Sequence, residues 1–401
     1  MLDNNEIKKL AKKYLDELIQ IRRHLHQYPE LSFEEFETSK FIQSKLKAAG
    51  ISFTTGHVQT GIIATIHGHS PAGKTLLLRA DMDALPIQET NAVPYQSKHL
   101  GRMHACGHDV HTACVLGAAM ILNDCKHIWN GTVKVMFQPG EEVLPGGASL
   151  MIAEGLLENP KVDKALALHV YPSMETGKVG FKSGMYMAST DELYITVNGK
   201  GGHAAMPHKY TNPLLIAANI LLDINRHFMT EAALKGTMGE NIPTVVAFGK
   251  IEGKGATNVI PDKVEIAGTM RTMDENWRGI IHKQLHDILK KHSDIYGIES
   301  TIRIEKGYPF LVNDVDFTET SKAKAKEYLG AANVEELPLR MTAEDFAFIS
   351  QKVPSCFFRL GTGNLEKNIK SEVHTSNFDV DEQSIEIGAG MLAWLVINEL
   401  K

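Results

Sequence analysis

The chain has little cysteine, no long apolar run and no surplus of positive charge. Four cysteines (Cys106, Cys114, Cys125 and Cys356) among 401 residues are too few for the disulfide framework of a small secreted domain. No apolar stretch approaches the roughly 18 residues that span a membrane. The longest, residues 391–397, suits a buried helix near the carboxyl end. Basic side chains number 42 against 48 acidic ones, so no broad cationic face invites nucleic acid. Residues 1–9 lack the apolar centre of a signal peptide, which makes a cytoplasmic location the expectation. Repeats and low-complexity tracts are also lacking. A chain of this length has room for two domains.

Histidine, by contrast, is abundant. Eighteen are present, which tilts expectation toward metal or acid–base chemistry without locating it. Three of them fall with a thiol inside Met103-His104-Ala105-Cys106-Gly107-His108-Asp109-Val110-His111. A Cys-x-His pair can hold one metal from a single turn.

Periodicity organises the rest. Ile7, Leu10, Tyr14, Leu18, Ile21 and Leu25 recur at three- and four-residue spacings and predict a helix over 4–27. Ser32-Phe33-Glu34-Glu35 reads as a capping box opening a second helix, with Gly50 as its stop. Strands are predicted at 62–68, 75–80, 132–138 and 165–170, the last three nearly continuous in apolar residues, as strands buried on both faces are. A helix over about 110–123 separates two of them, which argues for an α/β fold: a mainly parallel sheet flanked by helices. After Gly184 the texture changes. Strand 193–197, helix 213–228, strands 244–251 and 263–271, helix 277–292 and strand 300–305 give the ferredoxin-like β-α-β-β-α-β order. The α/β texture then resumes, with a buried strand at 355–360 and a closing helix at 382–400. The expected organisation is a discontinuous main domain, 1–184 and 306–401, with a satellite domain, 185–305, inserted.

In open α/β sheets, ligands sit beyond the carboxyl ends of the strands. Strand 75–80 leads into Asp81 and Asp83, strand 132–138 into Glu141-Glu142, strand 165–168 into His169, and strand 355–360 toward His374. Adjacent carboxylates such as Glu141 and Glu142 resist joint ionisation when buried, and a cation relieves one of them. The other is then free to serve as general base. Asp81 and Asp83 are open to three readings: ligands, carboxylates that orient ligating histidines, or strand-end caps. Asp109 and His111 remain candidates, although helix N-terminal capping accounts for Asp109. In the satellite, the glycine-rich stretch from Gly199 to His208 presents His203, a donor for an oxyanion or a substrate carbonyl. Asn258 and Arg271 are candidates for gripping a carboxylate.

These segments together carry a family resemblance. Arg22-Arg23-His24-Leu25-His26 with Pro29-Glu30-Leu31, Arg79-Ala80-Asp81-Met82-Asp83, His104-Ala105-Cys106-Gly107-His108-Asp109, Gln138-Pro139-Gly140-Glu141-Glu142, Gly201-Gly202-His203-Ala204-Ala205 and Ala343-Glu344-Asp345-Phe346 span nearly the whole chain. The chain resembles the metal-dependent aminoacylase and carboxypeptidase peptidases, most closely their hippurate hydrolase and auxin-conjugate amidohydrolase branch. The resemblance implies a di-metal aminopeptidase-like main domain. It also implies Cys106, His108, Glu142, His169 and His374 as ligands of two divalent metals, zinc, manganese, cobalt or nickel. Glu141 is then the general base, with Asp83 and His203 beside it among the catalytic residues, and His203, Asn258 and Arg271 bind substrate. Classical aminoacylases have His-x-Asp where this chain has Asp81-Met82-Asp83, so Cys106 stands in for their bridging Asp and His108 for their histidine. Homodimers or higher homo-oligomers through the satellite are implied too, with His203 reaching the partner's site.

The expected reaction is hydrolysis of the amide of an N-acyl amino acid. Three alternatives stand beside it: a metallo-carboxypeptidase or dipeptidase on the same site, a metal-independent amidase using the Cys106 thiol with a histidine base, and a noncatalytic binding protein.

Overall fold

The computed structural model describes residues 4–228 and 242–401, so the first three residues of the amino-terminal segment considered above lie outside it. The chain divides into two compact units. One comprises Met1–Met185, Val312–Leu339 and Asp345–Lys401, and the other Tyr186–Leu311 and Arg340–Glu344.

The first unit begins with helix α1, Asn4–Gln27, whose Ile7, Ala11, Leu15, Leu18, Ile21 and Leu25 form the buried stripe expected from their spacing. Helix α2, Phe36–Ala48, follows, but the expected capping box does not form. Ser32 Oγ donates instead to Asp83 Oδ2 at 2.7 Å, and Glu35 Oε1 accepts from Phe33 N at 2.9 Å. Glu30 takes over the helix end, its carboxylate accepting from Glu37 N at 3.2 Å and Thr38 N at 2.8 Å, which frees Ser32 and Glu35 for other partners. Strands β1 (Ser52–His57), β2 (Gly61–His67) and β3 (Thr75–Asp81), helix α3 (His108–Asp124), and strands β4 (Thr132–Gln138), β5 (Lys164–Glu175) and β6 (Val179–Phe181) come next.

The main sheet has the order β1, β2, β4, β3, β5, Ser355–Gly363, β6, Val334–Glu336. At its centre β4, β3, β5 and Ser355–Gly363 are parallel neighbours. Every residue of β3, β4 and Ser355–Gly363 is buried, which is why their sequences read as continuous apolar runs rather than alternating ones. Helix α3 is buried almost all round, lacks an amphipathic stripe, and packs between α1 and the helix Ser384–Glu399. Parallel strands send their carboxyl ends to one edge, and the chemistry-bearing loops issue from that edge.

One placement differs from expectation. His169 does not end its strand: β5 continues to Glu175. It is β3 that stops short, its pairing with β5 ending at Arg79↔Ala167. Two residues further along each strand stand Asp81 and His169. The side chain therefore reaches the edge although its backbone stays in the ladder.

In the second unit, strands Asp191–Asn198, Thr244–Glu252, Lys263–Thr272 and Glu299–Lys306 form an antiparallel sheet. Thr244–Glu252 and Glu299–Lys306 are its edges. Helices Pro213–Phe228 and Glu275–Tyr296 bury Ile216, Ile220, Ile224, Ile281 and Leu285 against it, completing the ferredoxin-like order. Asp274 caps the second helix by accepting from Trp277 N at 2.6 Å.

Asp191 begins the first of these strands and accepts from Arg278 Nε at 3.0 Å and His282 Nε2 at 2.6 Å. Burial alone would raise its pKa, but His282 and Arg278 outweigh that and hold it down to about 2. A depressed folded pKa contributes stability above the unfolded value, lost as pH falls through the folded one. Asp191→Asn should therefore lower the satellite's unfolding temperature at pH 7, at a cost of about 3–5 kcal/mol for breaking a buried pair. The gap from wild type should narrow between pH 4 and pH 3; thermal scans showing a gap constant with pH contradict this.

Candidate metal centre

Cys106 is the hub. Its Sγ lies 3.4 Å from His169 Nε2 and 3.3 Å from His374 Nε2. Glu142 Oε1 is 3.2 Å from His374 Nε2 and 3.9 Å from His108 Nε2, which in turn is 3.9 Å from Glu141 Oε2. Ligand atoms of Cys106, His108 and His169 gather within 4.8 Å of one another, as do those of Cys106, Glu142 and His374, and of His108, Glu141 and Glu142.

Local backbone explains how these side chains are presented. Gly107 has φ +80°, and a Cβ there would stand 2.6 Å from Val170 Cγ2, so only glycine fits between Cys106 and the first turn of α3. His374 also adopts a left-handed conformation, φ +63°, and its N–H donates to Ala105 O at 2.7 Å. Such backbone costs on the order of 1–3 kcal/mol in a residue with a Cβ and is found where a site demands it.

Two of the cluster's histidines are held from behind. His108 Nδ1 bonds Asp83 Oδ1 at 3.1 Å, and His169 Nδ1 donates to Val170 O at 2.8 Å. Each imidazole thus has its Nδ1 occupied and turns its Nε2 toward the cluster, the orientation a metal-ligating histidine would need. Asp83 accepts additionally from Ser32 Oγ and from Glu142 N at 3.0 Å. Asp83 thus bonds the back of His108 and two groups of the surrounding backbone and side chains, a geometry suited to orienting that imidazole.

The rest of the histidine-rich segment has other work. His111 Nδ1 bonds Asp81 Oδ1 at 2.6 Å and its Nε2 accepts from Val170 N at 2.9 Å, so both its nitrogens are used. His104 is buried, with its ring centroid 6.5 Å from that of His26, and burial holds its pKa down to about 4. Asp109 is not the helix cap: Gly107 occupies that position. Asp109 instead accepts from Arg22 Nε and pairs with His26 Nδ1, each at 2.8 Å.

Electrostatics show what the cluster lacks. His108 Nε2 is buried without a hydrogen-bond partner. Burial would push His108 down, but Asp81 and Asp83 outweigh it and raise it to about 10. Burial also pushes the Cys106 thiol well above its ordinary value, and Glu142, Glu141 and Asp81 push it further. An unpartnered ring nitrogen, crowded carboxylates and a thiol whose ionisation burial and those carboxylates oppose describe a site short of positive charge. One thiol, three imidazoles and a carboxylate are a donor set that suits borderline divalent cations.

The satellite candidates are described within their own unit. His203 lies in the short strand Gly202–His203, which pairs with Val259–Ile260; its side chain is exposed, and its Nδ1 accepts from Ala205 N at 3.1 Å. Asn258 is exposed beside it, its carbonyl accepting from Ala204 N at 3.0 Å. Arg271 is elsewhere on the same unit, half-buried, with Nη1 on Met270 O at 3.0 Å and on Thr269 Oγ1. The ribbon brings His203 and Asn258 together; no such contact joins Arg271 to them among the described hydrogen bonds.

The sequence profile described as peptidase family M20/M25/M40 matches residues 77–398. An N-acetyl-L-cysteine deacetylase of Bacillus subtilis is 38% identical over 92% of this chain and 85% of that protein. An IAA-amino acid hydrolase of Arabidopsis thaliana is 35% identical over 98% of this chain and 88% of that one. A crystal structure from Bacillus subtilis, described as a dinuclear metal binding peptidase, superposes with a TM-score of 0.81 at 31% identity, covering 97% of this chain and 99% of its own.

A buried ion network underlies the site and was not foreseen. Arg79 donates to Asp81 Oδ2 at 2.6 Å, Asp345 Oδ1 at 2.8 Å and Gln138 Oε1 at 2.8 Å, while Gln138 Nε2 donates to Asp345 Oδ2 at 2.6 Å. Burial would raise Asp81, but Arg79, His108 and His111 hold it well below the usual carboxylate range. The visible signal was an arginine inside an otherwise apolar buried strand. Arg79→Met should destabilise the first unit by about 3–5 kcal/mol, because Asp81 and Asp345 lose the guanidinium that permits their burial. Denaturant unfolding with no measurable loss contradicts this.

Proposed function

The chain belongs to peptidase family M20/M25/M40, and we propose that it hydrolyses the amide bond of N-acyl amino acids, releasing a carboxylic acid and a free amino acid. The supporting observation is the pairing of Glu141 and Glu142 on one turn. Both reach His108 Nε2 at 3.9 Å, while Glu142 also faces the Cys106 and His374 donors. Glu142 serves as a ligand with Cys106, His108, His169 and His374, and Glu141 is left to move protons. The ions are divalent, drawn from zinc, manganese, cobalt and nickel. When bound, they supply Lewis acidity that polarises the acyl carbonyl and makes water acidic enough to attack at neutral pH.

The protein's own groups do the rest. Glu141 takes a proton from the attacking water and returns it to the leaving amine. Its Oε1 is approached by Asp345 N at 3.4 Å, which fixes the carboxylate's direction. Asp83 keeps His108 in its ligating tautomer. His203 donates to the oxyanion, and Asn258 and Arg271 receive the substrate's carboxylate. His203 acts on the partner's site within a homodimer or higher homo-oligomer formed through the satellite, in the cytoplasm. The acyl groups to be tried are acetyl, after the N-acetyl-L-cysteine deacetylase, indole-acetyl, after the IAA-amino acid hydrolase, and benzoyl as in hippurate. A dipeptide panel tests the carboxypeptidase or dipeptidase alternative.

A cysteine-amidase mechanism is disfavoured, because a thiol nucleophile needs a lowered pKa. Cys106 is instead buried and ringed by carboxylates. Glu141→Gln should reduce kcat by about 10²–10⁴ or more, the range for general acid–base groups, while metal content stays at the wild-type level. Turnover retained by this variant removes Glu141 from its role. Exhaustive chelation should abolish activity, and readdition of divalent cation should restore it; activity that survives chelation favours the thiol mechanism.

A further inference from the structure

The segment between α1 and α2, read from sequence as a capping box, lies against the catalytic turn instead. Glu35 is fully buried. Its Oε1 accepts from Phe33 N at 2.9 Å and from Gly140 N at 2.8 Å, and its Oε2 accepts from Thr60 Oγ1 at 2.8 Å. Gly140 is the residue immediately before Glu141-Glu142. It has φ +62°, and a Cβ there would stand 2.3 Å from Phe33 Cζ, so the Phe33 ring covers this turn directly. Phe33 itself holds a left-handed backbone, φ +65°, a strain that a buried anchor at Glu35 can sustain.

We infer that Glu35 is a positioning residue for the Glu141–Glu142 turn, setting where the proposed base and its neighbouring ligand point through its hydrogen bond to Gly140 N. The inference rests on the assignment of Glu141 as base and Glu142 as ligand. The turn is held at three points: Gly140 N by Glu35, Gly140 O by Gly147 N at 2.9 Å, and Glu142 N by Asp83 Oδ2 at 3.0 Å. Ser32 Oγ on the same amino-terminal segment holds Asp83 at 2.7 Å. Two of those three anchors therefore run back, directly or through Asp83, to residues 32–35. A displacement of about 1 Å in a catalytic group is enough to cost on the order of a hundredfold in rate.

What the turn requires of Glu35 is reach and two acceptor positions on one oxygen. Burial, reinforced by Asp83, lifts the Glu35 carboxyl to about 7, so a full negative charge is not what the site depends on. Glutamine has the same length. Its carbonyl can accept both N–H bonds, and its amide can donate to the Thr60 hydroxyl, which accepts as readily as it donates. Aspartate keeps the carboxyl group but is one methylene shorter and cannot span to Gly140 N from the same backbone.

The two variants Glu35→Gln and Glu35→Asp make the test, with full-length protein in its native assembly. Two readouts are taken: cobalt(II) titration of metal-free protein, followed by its absorption spectrum, and kinetics on the best N-acyl amino acid of the panel. Glu35→Gln should keep cobalt affinity and kcat within about threefold of wild type. Glu35→Asp should weaken cobalt binding about tenfold and lower kcat at least tenfold, with KM within twofold and an unchanged unfolding temperature. The inference is overturned if both variants match wild type, if Gln is the worse of the two, or if losses only track a falling folded fraction. A dead Glu141→Gln enzyme beside an unimpaired Glu35→Asp enzyme refutes this inference alone; an active Glu141→Gln enzyme refutes the functional assignment beneath it.

Discussion

Everything at this sheet edge depends on one electrostatic constraint: negative and electron-rich groups are packed together out of water with too little positive charge to balance them. Asp81, Asp83 and Glu141 are buried, Glu142 is nearly so, and the Cys106 thiol sits among them. The Arg79 guanidinium is already committed to Asp81 and Asp345. Isolated buried charge is costly by several kcal/mol per ion, and proteins resolve it by pairing, by protonation or by binding metal. Here Asp81 and Asp83 push the His108 pKa up against its burial, and Glu142, Glu141 and Asp81 add to the burial that raises the Cys106 thiol. A divalent cation resolves the same conflict with all the donors in use.

The fold supplies the convergence and the surrounding network supplies the aim. Four parallel strands bring Asp81, Glu141-Glu142, His169 and the approach to His374 to one edge. Behind them run two chains of hydrogen bonds. One passes from Arg79 through Asp81 and His111 to the backbone of β5. The other passes from Ser32 through Asp83 to His108 and to the Glu142 amide. The donors are thus fixed before any ligand arrives, which is what rapid, selective metal chemistry requires.

Much of this was legible in the sequence for identifiable reasons. Strands buried on both faces write continuous apolar runs, and Leu193, Ile195 and Val197 write the alternation of a half-buried satellite strand. The Cys106–His108 spacing and the adjacent glutamates pointed at the site because their chemistry is local. What escaped were pairings set by distant parts of the chain. Ser32 and Glu35 obey a capping pattern that the folded structure does not use, since their partners, Asp83 and Gly140, lie far along the chain. His111 and Asp109 looked like ligand or cap candidates, and only the fold shows Asp81, Val170, Arg22 and His26 claiming them. His169 was placed at a strand end because apolar character stops there, although the ladder does not.

The central claim is that the Cys106-centred cluster is completed by divalent metal. Elemental analysis of the purified chain, after removal of metal and reloading with excess cation followed by desalting, tests it most directly. The account predicts about two equivalents per chain, as in two-metal hydrolytic sites, and a marked loss in a Cys106→Ala variant that remains folded. Fewer than one equivalent in the wild type, or full loading in that variant, contradicts it.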